Sequence, residues 1–248
     1  MAGAERTDTP LRKRDRFRAG AVRYVRLPLK LRTSDLPRRA ASAAVMLAIA
    51  GAALWLGGVY FDAFAALIAL ACFGEFARLV WRAQRNAVLR IAGWLAGAAY
   101  IAAAATALII LPIPVVLGLV AVVIATDTGA YFSGRTIGGP KIAPRISPSK
   151  TWAGLGGGAL CAGLVAFAFF YSNVGERAFS TMGLGALFIG AVLAVVAQAG
   201  DFFESWLKRR ANMKDSSNLI PGHGGIFDRV DGLLPVAIAG SLLWWVHP

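Results

Sequence analysis

Long apolar runs broken by short polar interruptions set the rhythm of this chain. Seven apolar segments stand out, at about 40–58, 60–77, 88–105, 107–125, 153–172, 183–199 and 232–247. Several approach the ~17–20 residues that a helix needs to cross a bilayer, so the pattern predicts a bundle of spanning helices. The first two segments are parted only by "GGVYFD", which predicts a tight turn and a helical hairpin. "LPIP" at 111–114 puts Pro112 and Pro114 early in the fourth segment, where they either kink the helix or mark its start.

Composition sharpens this picture. Hydrophobic residues make up 57% of the 248 and charged residues 16%, with a mean hydropathy of +0.61. That balance excludes an ordinary water-soluble domain. Cys72 and Cys161 both sit inside apolar runs, far apart in sequence, and read as small buried hydrophobes rather than a disulfide or a thiolate metal site.

The net charge of +13 would suit nucleic acid, but its distribution argues otherwise. Residues 1–39 carry 12 Lys and Arg against 4 acids, ahead of the first span and without an aromatic stacking platform. Anionic lipid headgroups are the expected partner, and no nucleic acid. Residues 1–36 are expected to form a disordered or interfacial basic arm, and 37–248 an integral membrane domain.

With the N-terminus in the cytoplasm, 78–87, 126–152 and 200–231 become cytoplasmic connections. Then 25 of the 26 Lys and Arg fall in the arm, those connections or their flanks, Arg177 being the exception. This asymmetry follows the positive-inside rule and predicts a multi-pass protein of a bacterial-type inner membrane. The final "WWVHP" would face the periplasm, with Trp244 and Trp245 as interfacial anchors.

Two of the cytoplasmic segments are polar and rich in Gly and Pro. The first, 126–154, reads "TDTGAYFSGRTIGGPKIAPRISPSKTWAG". Asp127 closes the fourth apolar segment, where an unpaired carboxylate is expensive. Lys141, Arg145 and Lys150 add positive charge, and Ser147, Ser149 and Thr151 put hydroxyls just before a helix, whose first amides favour anions. The spacing is not that of a Walker A loop.

The second segment, 198–232, is denser: "QAGDFFESWLKRRANMKDSSNLIPGHGGIFDRVDG". Asp201 and Glu204 are three apart, as are Asp228 and Asp231, so each pair shares a helix face. Four carboxylates at two membrane-boundary helix ends suit a hard divalent cation, and Lys208, Arg209, Arg210, Lys214 and Arg229 suit phosphates. Plain cytoplasmic anchoring explains "KRR" equally well, and a structural hydrogen bond explains His223.

The 27 residues "SWLKRRANMKDSSNLIPGHGGIFDRVD", 205–231, resemble the signature of the phosphatidate cytidylyltransferases, or CDP-diacylglycerol synthases. The matching elements are Ser205, Lys208-Arg209, Lys214-Asp215, Pro221, His223-Gly224-Gly225, Asp228-Arg229 and Asp231. Upstream, "GDFFES", the 127–151 block, "PRRAASA" and "GEFARL" are similar to other family elements. Two departures stand out: Phe202 where Leu is usual, and Ala153 where the family often has Glu.

The resemblance implies an all-α polytopic membrane protein of about seven to nine transmembrane helices, with two long cytoplasmic loops forming the active site. It implies transfer of CMP from CTP to phosphatidic acid, giving CDP-diacylglycerol and pyrophosphate in phospholipid biosynthesis. Mg²⁺ is the implied cofactor, and a second, monovalent cation stays open.

Asp201, Asp228 and Asp231 are the expected metal ligands. Lys208, Arg209, Lys214, Asp215, His223 and Arg229 complete the expected catalytic set. Asp127, Ser147, Ser149, Lys150, Thr151, Gly224 and Gly225 are expected at the substrates. A transporter with a charged cytoplasmic site and a CTP-dependent lipid kinase are the competing functions. The small-residue run "GLGGGALCAG", 154–163, serves either packing within the bundle or a homodimer interface.

Overall fold

The computed structural model describes residues 36–246; the basic arm up to residue 35 and the last two residues lie outside them. Helices α1 (Leu36–Leu56), α2 (Gly58–Ala83), α3 (Ala87–Ile110) and α4 (Ile113–Thr136) come first. A small hairpin, β1 (Lys141–Ala143) and β2 (Ser147–Thr151), leads into α5 (Trp152–Val174). A 3₁₀ turn, Gly175–Ala178, precedes α6 (Thr181–Arg210), the short α7 (Phe227–Val230) and α8 (Leu233–Val246). Among the described residues, six helices are long and apolar enough to cross a membrane, and α8 is a shorter apolar helix.

The breaks have local causes. Gly57, at φ 62°, separates α1 from α2, so the turn occupies one glycine and Val59–Asp62 of "GGVYFD" belong to α2. Ser42 of α1 and Glu75 of α2 both reach the same loop, at His223 and Ile226, so the two helices form the expected hairpin. Pro112 caps α4 and Pro114 lies in its first turn; the prolines start the helix rather than kink it. Asn86 accepts from the amides of Val88 and Leu89, and Thr151 from that of Gly154, fixing the starts of α3 and α5.

Two packed clusters stack along the bundle. Phe61, Leu111, Val116, Leu119 and Leu193 fill the end near Gly57. Cys72, Phe76, Leu79, Ile101, Leu207 and Phe227 fill the end beneath the polar loops. Both cysteines are free. Outward faces stay greasy: Leu47, Leu70, Leu95 and Phe188 are strongly exposed, as lipid-facing side chains should be.

Gly158 and Gly163 of α5 serve close packing inside the bundle. A Cβ at Gly158 would come within 2.8 Å of the Thr126 carbonyl on α4, and one at Gly163 within 2.8 Å of the Leu187 carbonyl on α6. The strands pair antiparallel, Lys141 opposite Thr151 and Ala143 opposite Ser147, with an irregularity between. The loop reading of 126–152 did not anticipate this hairpin, because three- and five-residue strands carry no readable alternation.

Candidate functional site

Helix α6 is 30 residues long, so at 1.5 Å per residue it extends about 45 Å, beyond a ~30 Å hydrocarbon core. Its last turns therefore carry Asp201, Glu204 and Lys208 on one face above the apolar stretch, three and four residues apart. Asp127 on α4, Lys150 on β2 and Asp231 just after α7 meet that face. Together they line a cavity of about 720 Å³.

One oxygen from each of Asp201, Glu204 and Asp231 lies within 4.8 Å of the others. Lys150 Nζ stands 2.5 Å from Asp201 Oδ2, tying the hairpin to α6. Glu204 is buried; Lys208 Nζ lies 2.7 Å from its Oε2, and its Oε1 has no hydrogen-bond partner. A cation could satisfy this buried, donorless oxygen, and three carboxylates offer the oxygen-only donor set that Mg²⁺ takes. Burial first, and then the Asp201 carboxylate, push Asp231 up to about 7.

Asp228 is anchored from several sides. Its Oδ1 lies 2.7 Å from Lys208 Nζ. Its Oδ2 accepts from the Ser216 amide at 2.9 Å and the Gly225 amide at 2.8 Å, with Ser216 Oγ also at 2.9 Å. These bonds lock the loop to α6 and hold Asp228 in the cavity lining beside the trio, in which Glu204 is the third carboxylate. Burial alone would raise this carboxyl. The Glu204 carboxyl, Lys208 and the two amides outweigh burial and hold it well below the usual carboxylate range.

Beneath it, Glu75 makes a second anchor. It accepts from Ser217 Oγ at 2.6 Å and from the amides of Ile226 and Phe227 at 3.1 and 2.9 Å. Ser216 Oγ lies 2.7 Å away, between Glu75 and Asp228. Gly225 fits because a Cβ there would run into Ser216 and Glu75. Arg78 donates to the Ser216 carbonyl and completes the clamp.

A sequence profile described as "Cytidylyltransferase family" matches residues 112–246, more than half of the chain and the whole lining of the larger cavity. The chain belongs to the cytidylyltransferase family. Among the family's curated members, a phosphatidate cytidylyltransferase of Brucella suis biovar 1 (strain 1330) is 48% identical over 122 residues, 48% of this chain and 42% of that protein. One of Rickettsia bellii (strain RML369-C) is 45% identical over 118 residues, 47% of this chain and 51% of its own. One of Haemophilus influenzae (strain ATCC 51907 / DSM 11121 / KW20 / Rd) is 45% identical over 113 residues, 44% and 38%. The chain thus spans about half the length of the curated relatives it matches.

Of the residues expected from sequence, this cytidylyltransferase fold gathers Asp127, Ser149, Lys150, Thr151, Asp201, Lys208, Asp215, Asp228, Arg229 and Asp231 around the one cavity. Arg209 lies outside its lining and is exposed, its Nε 3.4 Å from the Ile146 carbonyl at the hairpin turn. Ser147 is buried at the start of β2, away from the lining. Lys214, His223 and Gly224 line a separate, smaller cavity, and Gly225 serves close packing.

Sequence reasoning left three contributors unassigned. Glu204 appeared only as one of the four carboxylates suited to a divalent cation, and Glu75, within the second apolar segment, was given no part. Gln198, also three residues from Asp201, is buried in the cavity lining with both amide atoms unpartnered.

Proposed function

We propose that the protein transfers the CMP moiety of CTP to phosphatidic acid, giving CDP-diacylglycerol and pyrophosphate in phospholipid biosynthesis. The observation that carries this reading is the cavity in which the Asp201–Glu204–Asp231 cluster meets Lys150, Lys208 and Arg229 at the polar ends of apolar helices. A soluble nucleotide and a lipid headgroup can both arrive there. The relatives, named phosphatidate cytidylyltransferases, support the same substrates.

In the reaction, a phosphate oxygen of the lipid bonds to the α-phosphorus of CTP. The bond from that phosphorus to the bridging oxygen breaks, and its electron pair leaves with pyrophosphate. A phosphate monoester is ionised at neutral pH, so no protein nucleophile is required and no general base is assigned. The difficulty is anion approaching anion, and preorganised charge is the remedy.

Lys150 and Arg229 bring cationic groups from the two polar segments. Lys208 holds Glu204 and Asp228 in place while contributing its own charge. Mg²⁺ would be held by Asp201, Glu204 and Asp231, where it would neutralise charge on the phosphates. No separate ligand set is assigned to a monovalent cation.

The positive-inside distribution supports a cavity on the cytoplasmic side of a bacterial-type inner membrane, with the N-terminus on the same side. The test is incubation of the purified protein with CTP, phosphatidic acid and Mg²⁺, with the lipid product identified by mass. CDP-diacylglycerol is expected. A phosphorylated lipid carrying no cytidine would instead mark a CTP-dependent lipid kinase, and flux across liposomes without nucleotide would mark a transporter.

A further inference from the structure

A second cavity, of about 400 Å³, adjoins the first and shares Asp215 and Arg229 with it. Its charge is the reverse of its neighbour's. Among the described residues, Arg39, Lys214 and Arg229 face a single carboxylate, Asp215, with His223 beside them. In the larger cavity six carboxylates outnumber four cations. Among the described residues neither Arg39 nor Lys214 forms an ion pair.

The smaller cavity is built jointly by the 211–226 loop and the first turns of α1. Gly222 and Gly224, at φ 77° and 84°, bend the loop through backbone conformations that side chains resist. A Cβ at Gly222 would come within 2.8 Å of Arg39 Cγ, so α1 rests directly on the loop. Ser42 Oγ lies 2.9 Å from His223 Nδ1, and 3.0 and 3.1 Å from the carbonyls of Arg39 and Pro221. Two carbonyls draw its single proton, so the hydroxyl oxygen accepts from Nδ1–H. Nε2 is then the ring atom left for a ligand.

We infer that this smaller cavity is a phosphate subsite completed by α1, in which Arg39 contacts the anion and Ser42 is a positioning residue for His223. The inference rests on the cytidylyl-transfer reading and names the occupant as the end of the CTP polyphosphate that leaves as pyrophosphate. Among the described residues, Ile220 and Pro221 are the only bulky apolar ones in the lining, too little apolar surface for the chains of a lipid. The excess of cations over carboxylates matches a polyphosphate.

The test uses the full chain in detergent and inorganic pyrophosphate as the probe, with binding measured by calorimetry. Removing one charge-assisted contact, in Arg39→Gln, should weaken pyrophosphate binding about tenfold. Arg39→Lys should retain most of the affinity, which separates loss of charge from loss of fold. Ser42→Ala should weaken binding and Ser42→Thr should restore it, a rescue that packing alone would not produce. In steady-state assays Arg39→Gln should raise KM for CTP and leave KM for phosphatidic acid unchanged.

Unchanged pyrophosphate affinity in Arg39→Gln would overturn the subsite, as would a rise in KM for phosphatidic acid alone, which would assign the cavity to the lipid headgroup. Pyrophosphate binding does not depend on turnover. Arg39-dependent binding without CDP-diacylglycerol formation would therefore defeat the functional reading and leave the phosphate subsite standing.

Discussion

At the scale of single residues, Asp228 and Asp201 differ in how much of the fold leans on them. Asp228 spends both oxygens on Lys208, Ser216 and Gly225. Asp228→Asn should destabilise the protein by about 2 kcal/mol, less than the ~3–5 kcal/mol of a fully orphaned buried charge, because Lys208 keeps Glu204. Thermal unfolding in detergent measures this. Asp201→Asn, at a half-buried carboxylate, should leave the melting temperature nearly unchanged and reduce turnover by about 10² or more.

The two shifted carboxyls predict opposite pH behaviour. A depressed pKa means that the unfolded chain takes up the proton first. The Asp228 contribution is therefore present above the unfolded value, near ~4, and is lost as pH falls toward the folded value. Asp228→Asn should flatten the acid side of the stability curve. Asp231 is raised, so its stabilising contribution is present below ~4 and lost as pH rises through about 7. A cation in the trio offsets that loss: Mg²⁺ should raise the melting temperature more at pH 8 than at pH 5.5, and this difference should vanish in Asp231→Asn.

At the scale of elements, the apolar pattern was readable because membrane helices need long uninterrupted runs. Each of the seven segments corresponds to one of α1–α6 or α8. Less readable was how far helices continue into polar sequence. The sixth segment seemed to end at residue 199, yet α6 runs to Arg210, because nothing in "DFFESWLKRR" breaks a helix. That continuation puts Glu204 beside Asp201 and Lys208 and so into the carboxylate trio. The division of "KDSSNLIPGHGG" between two cavities depends on Ser42 and Glu75, more than a hundred residues away, and no local spacing announces it. Close approach of α4 and α5 holds Asp127 against the hairpin. Gly158→Val should part these helices and cost about 1–3 kcal/mol, read by thermal unfolding.

At the scale of the whole molecule, the polar groups with chemistry collect at one end of an apolar bundle. The opposite end is closed by Gly57, the Pro112 turn and the 3₁₀ turn carrying Arg177. This polarity predicts sidedness. In a cysteine-free background, cysteines placed at Ser217 and Arg177 should be labelled by a membrane-impermeant reagent from the cytoplasmic and periplasmic sides respectively. Labelling of both from one side would contradict the orientation.

The central claim is that the acidic cavity transfers a cytidylyl group, and CTP labelled at either end tests it directly. Purified protein is given phosphatidic acid, Mg²⁺ and CTP carrying ³²P at the α or the γ position, and the lipids are extracted. The account predicts that α-label enters the lipid fraction, γ-label stays in water as pyrophosphate, and Asp201→Asn abolishes the transfer. Label from the γ position in the lipid, or full transfer by Asp201→Asn, would contradict it.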